Sequence, residues 1–403
     1  MPTSTLAPHA YLPCGTTSDH LVVAQVNLYT FTAEANINTG VRSTYIAITP
    51  DGNTGYVSDN HGSSGIVPIT FANSSSSTEI TFSGAGNEFG IVISPNGQTA
   101  YVASRGTDKL FYVTLSNKSV ATINCGSGFM PQFIRVTPDG TIAYIIGLNT
   151  TTVVPVRLNN MTLGIPINIG CITSYISMAP NGLTLYVSCT ASNIIMLISP
   201  HTETITGNIS IATPGFMSIT PDGTVMYITS GSYLYPISLS NNSVGSLITT
   251  ATIDQYAHQV SADGSYLYAK NVDTLRRFAI PSYVVNSVAD GGVQSDGLIL
   301  SPDQAPTASY TTSISSKTVT FNGVPSSTPW GFISTYMWTF GDTNTTTTTI
   351  PIIQYTYSST GTYTTSLTVT NSQGTSTATV YTGISIIRNG GPTATSTQVV
   401  VIV

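Results

Sequence analysis

The chain has 403 residues and a formal net charge of −6 at pH 7, and charged side chains make up only 7% of it. Binding to nucleic-acid phosphates needs a basic surface, and the densest basic spot is the pair Arg276-Arg277, so nucleic-acid binding is excluded. No apolar run approaches a bilayer span, and the opening MPTSTLAPHA lacks the basic start and apolar core of a secretory signal, so neither a membrane span nor a signal peptide is expected.

One phrase recurs along the first three quarters of the chain: an apolar run, a tight turn and a second apolar run. It first reads YIAITPDGNTGYV, and further copies begin at Gly90, Phe133, Tyr175, Phe216, Ala257 and Gly297. A tyrosine follows the turn at a fixed interval in six copies: Tyr56, Tyr101, Tyr144, Tyr186, Tyr227 and Tyr268. Proline followed by Asp-Gly or Asn-Gly is typical of a hairpin turn. Four strands in each period of about 40 residues predict the blades of a β-propeller.

The PDGxxxYV phrase resembles the YVTN-type β-propeller repeat of bacterial and archaeal surface proteins, including surface-layer-type proteins. The resemblance implies that the strand before each turn lies innermost, beside a central channel. The seventh copy ends after Pro302 without its tyrosine strand, but AYLPCGTTSDHLVVAQV near the start offers one, with Tyr11 in the tyrosine position. We therefore predict a tail at residues 1–9 and a seven-bladed propeller at residues 10–303, its last blade combining residues 10–32 with 297–301.

From residue 304 the pattern changes to short strands separated by turn residues, which predicts a β-sandwich of immunoglobulin size at residues 304–388. The stretches WTFGD from Trp338 and GTYTTSLTV from Gly361 resemble those of a PKD domain, a family of extracellular spacer or interaction modules. Phe340 alternates with Trp338 toward the core, and Asp342 is expected to cap a turn; by analogy with some PKD domains it would bind calcium. The predicted class is all-β.

Residues 389–403 are predicted to be a linker and a β-prone tail. The tail ends in the apolar, uncharged run Val399–Val403. Such a run either completes the sandwich or pairs with the sheet edge of a neighbouring copy, which would make the chain self-associate.

The residues predicted to face the channel carry little chemistry. The third residue before each turn is Ala47, Val92, Arg135, Ser177, Ser218, Gln259 or Ile299. This row has one charge and no carboxylate, so it does not supply acid–base catalysis. The fifth residue before the turn is aromatic in four copies: Tyr45, Phe133, Tyr175 and Phe216. These rings, with Arg135, either form a platform for sugar rings or plug the channel.

The four cysteines, Cys14, Cys125, Cys171 and Cys189, allow three full pairings. Cys171 precedes an inner strand and Cys189 ends the strand paired with it, so these two are candidate disulfide partners; the alternative is buried free thiols. No zinc-type spacing or other metal or cofactor motif is present. Seven Asn-x-Ser/Thr sequons are candidate glycosylation sites: Asn73, Asn117, Asn149, Asn160, Asn208, Asn241 and Asn344.

These features predict a non-enzymatic structural or adhesive protein, exposed on a microbial cell envelope or a virion, that contacts other surface proteins or glycans. One alternative is a propeller enzyme of the lyase or lactonase type with its active site at a channel mouth. Another is a subunit of a self-assembling surface sheet or filament. The chain is either a mature or trimmed form or reaches the surface without a secretory signal.

Overall fold

The computed structural model describes residues 8–14, 21–59, 65–84, 86–248, 253, 257–271, 274–289, 297–302, 304, 306–328, 330–371, 377–379, 385–387 and 393–402. These residues form antiparallel β-sheets and two short 3₁₀ helices, Phe71–Asn73 and Thr190–Ser192. The predicted all-β class is confirmed. Within the described part of the chain, no helix is long and apolar enough to cross a bilayer. Contacts divide the described residues into a larger unit, within 8–302 and 379–386, and a smaller one, within 303–378 and 387–403.

In the described residues the larger unit contains seven antiparallel sheets, which we number in chain order of their first strands. The first sheet has strands Ser43–Ile48, Thr54–Asp59, Gly65–Thr70, Ser75–Ser76 and Ile80–Thr81. The second has Glu88–Ile93, Thr99–Ser104, Lys109–Thr114 and Ser119–Asn124. The third has Pro131–Val136, Ile142–Gly147, Thr152–Arg157, Thr162–Leu163 and Ile167–Asn168.

The remaining sheets of the larger unit follow the same plan. The fourth sheet has Tyr175–Met178, Leu185–Cys189, Ile194–Ser199 and Thr204–Ser210. The fifth has Pro214–Ile219, Val225–Ser230, Tyr233–Ser238 and Ser243–Val244, and the sixth has His258–Val260, Tyr266–Asn271, Thr274–Ala279 and Val285–Ala289. The seventh joins Ile299–Leu300 to His9–Cys14, Val22–Asn27, Thr32–Ala33 and Ile37–Asn38.

The turn after each first strand has a recurring set of hydrogen bonds. In the first sheet the amide of Gly52 donates to the carbonyl of Thr49, while the amide of Asn53 and the hydroxyl of Thr49 donate to Asp51 Oδ1. Glycine is required because φ at this position is positive. Its value is +70° to +73° at Gly52, Gly97, Gly140, Gly182, Gly223 and Gly264.

The turns of neighbouring sheets also pack on each other. A methyl group placed on Gly97 would lie 3.3 Å from Cδ of Pro50, so the glycine of the second sheet rests on the proline of the first. The same contact recurs for Gly140 on Pro95 and for Gly264 on Pro221. Proline and glycine therefore have two roles each: they shape their own turn, and they pack against the turn of the neighbouring sheet.

The repeated tyrosines are buried and lie opposite the middle residue of each first strand. Tyr144 pairs with Arg135, and Tyr268 pairs with Gln259. In the seventh sheet Tyr11 pairs with Ile299 and is 3% exposed. The strand His9–Cys14 thus stands where the tyrosine strand stands in the other six sheets.

Buried apolar clusters join consecutive sheets of the larger unit. Phe82 of the first sheet stacks on Phe111 of the second with ring centroids 4.7 Å apart, and similar clusters join each later pair up to the sixth sheet. Another cluster joins the seventh sheet to the first. Between the sixth and seventh sheets, the guanidinium of Arg277 lies 4.3 Å from the ring centroid of Phe31 and donates to the carbonyl of Leu28.

The smaller unit packs two sheets around Trp338, which is fully buried. One sheet has strands Thr311–Ser315, Thr318–Asn322 and Ile352–Thr356; the other has Thr345–Thr348, Ile333–Thr339, Gly361–Asn371 and Thr393–Ile402, and Thr377–Thr379 pairs with Ser385–Ile387. Trp338 and Phe340 belong to the core, as predicted. The hydroxyl of Tyr357 donates to the carbonyl of Phe340.

The end of the chain corrects the predicted domain boundary at residue 388. Thr393–Ile402 is the last strand of the sandwich and pairs along its length with Gly361–Asn371. Val400 and Ile402 are each 2% exposed because they enter the core beside Trp338. The segment predicted as a tail is therefore a structural strand in the described part of the chain.

Candidate functional site

The larger unit contains a partly open cavity of about 400 Å³. It is lined by first-strand residues of six of the seven sheets: 45–48, 90–93, 133, 135, 216–219, 258–260 and 297–299. Of the row predicted to face a channel, six members line this cavity, whereas Ser177 does not. The cavity wall is largely apolar, since isoleucine, valine, leucine and methionine supply half of these positions.

Arg135 supplies the one formal positive charge of the lining. Nη1 of Arg135 donates to the carbonyl of Ile134 at 2.8 Å, and the side chain forms no ion pair with any described residue. Burial lowers the pKa of Arg135 to about 10, and the nearby Tyr45 opposes this shift. At neutral pH the guanidinium therefore stays charged although it lies away from bulk water.

The four predicted aromatic residues form a continuous arc. Ring centroids are 5.7 Å apart between Tyr45 and Phe133, 5.2 Å between Phe133 and Tyr175, and 6.2 Å between Tyr175 and Phe216. The arc ends at His258, edge-on to Phe216. Phe133 is only 3% exposed, whereas Tyr45, Tyr175 and Phe216 are half-buried. The rings thus cover one another in part, and Tyr175 is not among the residues that line the cavity.

His258 is fully buried and has a partner on each ring nitrogen. Nε2 lies 3.0 Å from the carbonyl oxygen of Phe216, and Nδ1 lies 2.9 Å from Oγ of Ser218. Burial lowers the pKa of His258 to about 4, so the imidazole is neutral at pH 7. The proton then sits on Nε2, because only a donor satisfies a carbonyl, and Ser218 donates to Nδ1. Sequence periodicity did not reveal this pair, which spans 40 residues and two sheets.

Cys171 and Cys189 are joined in a disulfide, with their Cα atoms 6.0 Å apart. It ties the start of the fourth sheet to the end of that sheet's second strand. Cys14 and Cys125 are buried and form no disulfide, and burial raises the pKa of Cys125 to about 12. A thiol with a raised pKa is a poor nucleophile, so Cys125 has a packing role.

The predicted modification and metal positions lie on the surface. All seven sequon asparagines are exposed. Asp342 acts as a turn cap, since it accepts hydrogen bonds from the hydroxyl of Tyr355 and the amide of Asn344. Burial raises the pKa of Asp342, but these hydrogen bonds outweigh burial and lower the pKa overall. Among the described residues, no group of three or more histidine, cysteine, aspartate or glutamate side chains is arranged to hold a metal ion.

Comparison with known proteins finds a family match that falls mostly within the smaller unit. Residues 302–386 match the family model of the PKD domain. PKD domains are typically extracellular, which indicates an extracellular adhesive or structural role. None of the curated proteins compared with the chain matches it.

Three solved structures resemble the chain at a level that shows fold alone. A protein of unknown function from Desulfotomaculum acetoxidans is 16% identical with a TM-score of 0.62, over 73% of this chain and 99% of that one. Hydrazine synthase from Kuenenia stuttgartiensis is 16% identical with a TM-score of 0.55, over 72% and 99%. A protein from Lactobacillus plantarum is 13% identical with a TM-score of 0.59, over 73% and 99%.

Proposed function

We propose that the chain is a non-enzymatic structural or adhesive protein exposed on a microbial cell envelope or virion, where it contacts other surface proteins or glycans. The observation that carries this proposal is the PKD match at residues 302–386, because such domains serve as extracellular spacers and interaction modules. The low charge and the seven exposed sequon asparagines suit the same location.

In this proposal the seven sheets of the larger unit are the blades of a YVTN-type propeller. The support is that apolar clusters join the sheets in order, that the seventh packs on the first, and that first strands line the cavity. A propeller is rigid and offers a broad face to partners. The aromatic arc suits glycans, since half-buried rings bind the apolar faces of sugars.

A binding assay with the full chain tests the adhesive role. Labelled protein is incubated with isolated envelope polysaccharide and envelope protein from the source, and we expect saturable binding to at least one of them. Tyr175→Ser should weaken glycan binding if the arc is the contact. Tyr29→Ser is the matched control, because Tyr29 is 85% exposed and lies outside the arc. Binding that never saturates, to either material, would contradict the adhesive role.

The cavity offers few groups that could support the alternative of a propeller enzyme. Its lining has no carboxylate, and His258, with a pKa of about 4, is a weak base with both nitrogens engaged. General acid–base catalysis works best with a group that titrates near the working pH. We therefore keep the non-enzymatic role as the proposal.

Self-assembly is a second candidate role, favoured by the last strand of the sandwich. Among the described strands, Thr393–Ile402 lies at the edge of its sheet, and Val399 and Val401 are 63% and 51% exposed. An exposed apolar edge is a template for pairing with another chain. Replacing both valines with lysine should abolish any assembly seen by light scattering, while Val400 and Ile402 keep the strand in its core.

A further inference from the structure

A cavity that holds a buried cation without an anion is the unexplained feature of the larger unit. Arg135 lines a cavity of about 400 Å³, and no aspartate or glutamate is among the lining residues. The one hydrogen bond its side chain makes to a described residue uses Nη1. Arg135 is half-buried and belongs to the cavity lining, so a ligand in the cavity can reach the guanidinium N–H groups that this hydrogen bond does not use.

The other polar side chains of the lining leave donors rather than acceptors. Oε1 of Gln259 accepts from the amide of Leu300, which leaves the Nε2 amide group as the free end. Ser218 and His258 are engaged with each other. Apart from the hydroxyl groups of Tyr45 and Ser218, which can donate or accept, the polar side-chain groups left for a ligand are the guanidinium and an amide N–H₂, which are both hydrogen-bond donors. Donors beside a positive charge suit an anion.

We propose that this cavity binds a small organic carboxylate with an apolar body. The planar guanidinium of Arg135 matches a carboxylate with two parallel hydrogen bonds, and one cation balances one negative charge. The apolar body lies against the aliphatic wall formed by residues such as Ile48, Ile93 and Val260. The volume falls in the range of about 300–1,000 Å³ that small-molecule sites occupy. This inference does not depend on the surface role proposed above.

Isothermal titration calorimetry with phenylacetate as the probe tests the proposal on the full chain. Phenylacetamide has the same shape without the charge, and acetate has the charge without the ring. We expect phenylacetate to bind with 1:1 stoichiometry and both comparison compounds to bind at least about 10-fold more weakly, because charge-assisted hydrogen bonds and apolar contacts each contribute at this scale.

Two substitutions separate Arg135 from a general charge effect. Arg135→Gln should weaken phenylacetate binding at least about 10-fold, and Arg135→Lys should fall between it and the native protein because lysine keeps the charge but not the fork. Arg276→Gln is the matched control: it removes one arginine from the third strand of the sixth sheet, outside the cavity lining, and should leave binding unchanged.

Several results would overturn the proposal. These are equal binding of phenylacetate and phenylacetamide, equal binding of phenylacetate and acetate, or native-like affinity in folded Arg135→Gln. The same assay is repeated with a series of shorter and longer arylalkyl and alkyl carboxylates. If neither phenylacetate nor any member of this series binds, the proposal is also rejected. If Arg135→Gln does not fold, Arg135→Lys carries the comparison alone, and unchanged affinity in it would count against bidentate recognition.

Discussion

Replacing Arg135 with methionine should stabilise the larger unit, because the native side chain is a charge without a counterion. Burial lowers the pKa of Arg135 from its ordinary value to about 10, a difference that corresponds to about 3 kcal/mol of cost to the charged form. This is an upper limit, since the side chain is only half-buried. Methionine also loses the hydrogen bond to Ile134, worth about 1 kcal/mol. The expected net gain is about 1–2 kcal/mol.

The sign of this effect follows from linkage. The folded state holds the proton of Arg135 less tightly than the unfolded state, so folding is penalised wherever the unfolded group is protonated. The penalty is complete below about pH 10, and it disappears only above the higher pKa of the unfolded group. The gain from Arg135→Met is therefore fully present at pH 7.

Differential scanning calorimetry at pH 7 on the full chain measures the gain. The transition of the larger unit should move up by about 2–4 °C in Arg135→Met. Arg276→Met, in which a partly exposed arginine is replaced, should stay within about 0.5 kcal/mol of the native protein. A lower transition temperature in Arg135→Met, with Arg276→Met unchanged, would refute the reasoning, since it would show that the buried cation is compensated.

Replacing Cys171 and Cys189 with serine removes a link across 18 residues and should lower the free energy of unfolding by about 3 kcal/mol in urea titrations; an unchanged midpoint would contradict this. Burial raises the pKa of Asp222, but hydrogen bonds from Thr220 and Thr224 outweigh it and lower the pKa overall. The contribution of Asp222 to stability is therefore complete above its ordinary pKa of 3.8, and it is lost as the pH falls through the lower pKa of the folded state. Asp222→Asn should be less stable than the native protein at pH 7, because it lacks the ionised carboxylate, and should lose less stability on acid titration; a parallel acid profile would argue otherwise. Trp338→Ala should cost the smaller unit about 3–5 kcal/mol and leave the calorimetric transition of the larger unit in place, and a shift of both transitions would reject this assignment.

The sequence predicted well the parts of the fold that depend on local chemistry. The positive φ at Gly52 and its copies follows from Asp-Gly and Asn-Gly turns, and the buried tyrosines follow from their constant distance to those turns. The placement of Tyr11 opposite Ile299 was also predictable, because the first part of the repeated phrase occurs at Gly297 and its tyrosine strand occurs near the start of the chain. Such features repeat, and repetition makes a weak signal strong.

Contacts between residues that are far apart in sequence could not be predicted in the same way. Tyr45 of the first sheet reaches Phe133 of the third because Gly90 lies between them without a side chain; a methyl group there would sit 2.7 Å from the carbonyl oxygen of Gln132. For the last strand, Thr393–Ile402, whose alternation is masked by a run of apolar residues, the sequence left two alternatives open: completing the sandwich or pairing with a neighbouring copy. Whether it pairs within its own sandwich is decided by the partner strand Gly361–Asn371, which local sequence does not reveal.

The sequence indicated some residues of the candidate site, but not Ser177 or Tyr175 as non-lining residues and not the contacts among the others. Counting back from each turn placed Arg135 and the aromatic residues near one another. The absence of an ion pair on Arg135 among the described residues depends on which side chains the other sheets bring to the cavity, as does the bond between Ser218 and His258. These contacts join residues that are distant in sequence, so no short motif records them.

Antibody-gold labelling of intact source cells or particles tests the central claim most directly. Antibody raised against the full chain should place label on the outer surface before any permeabilisation, and opening the cells should add little. Label found only after the cells or particles are opened would contradict the proposed surface role.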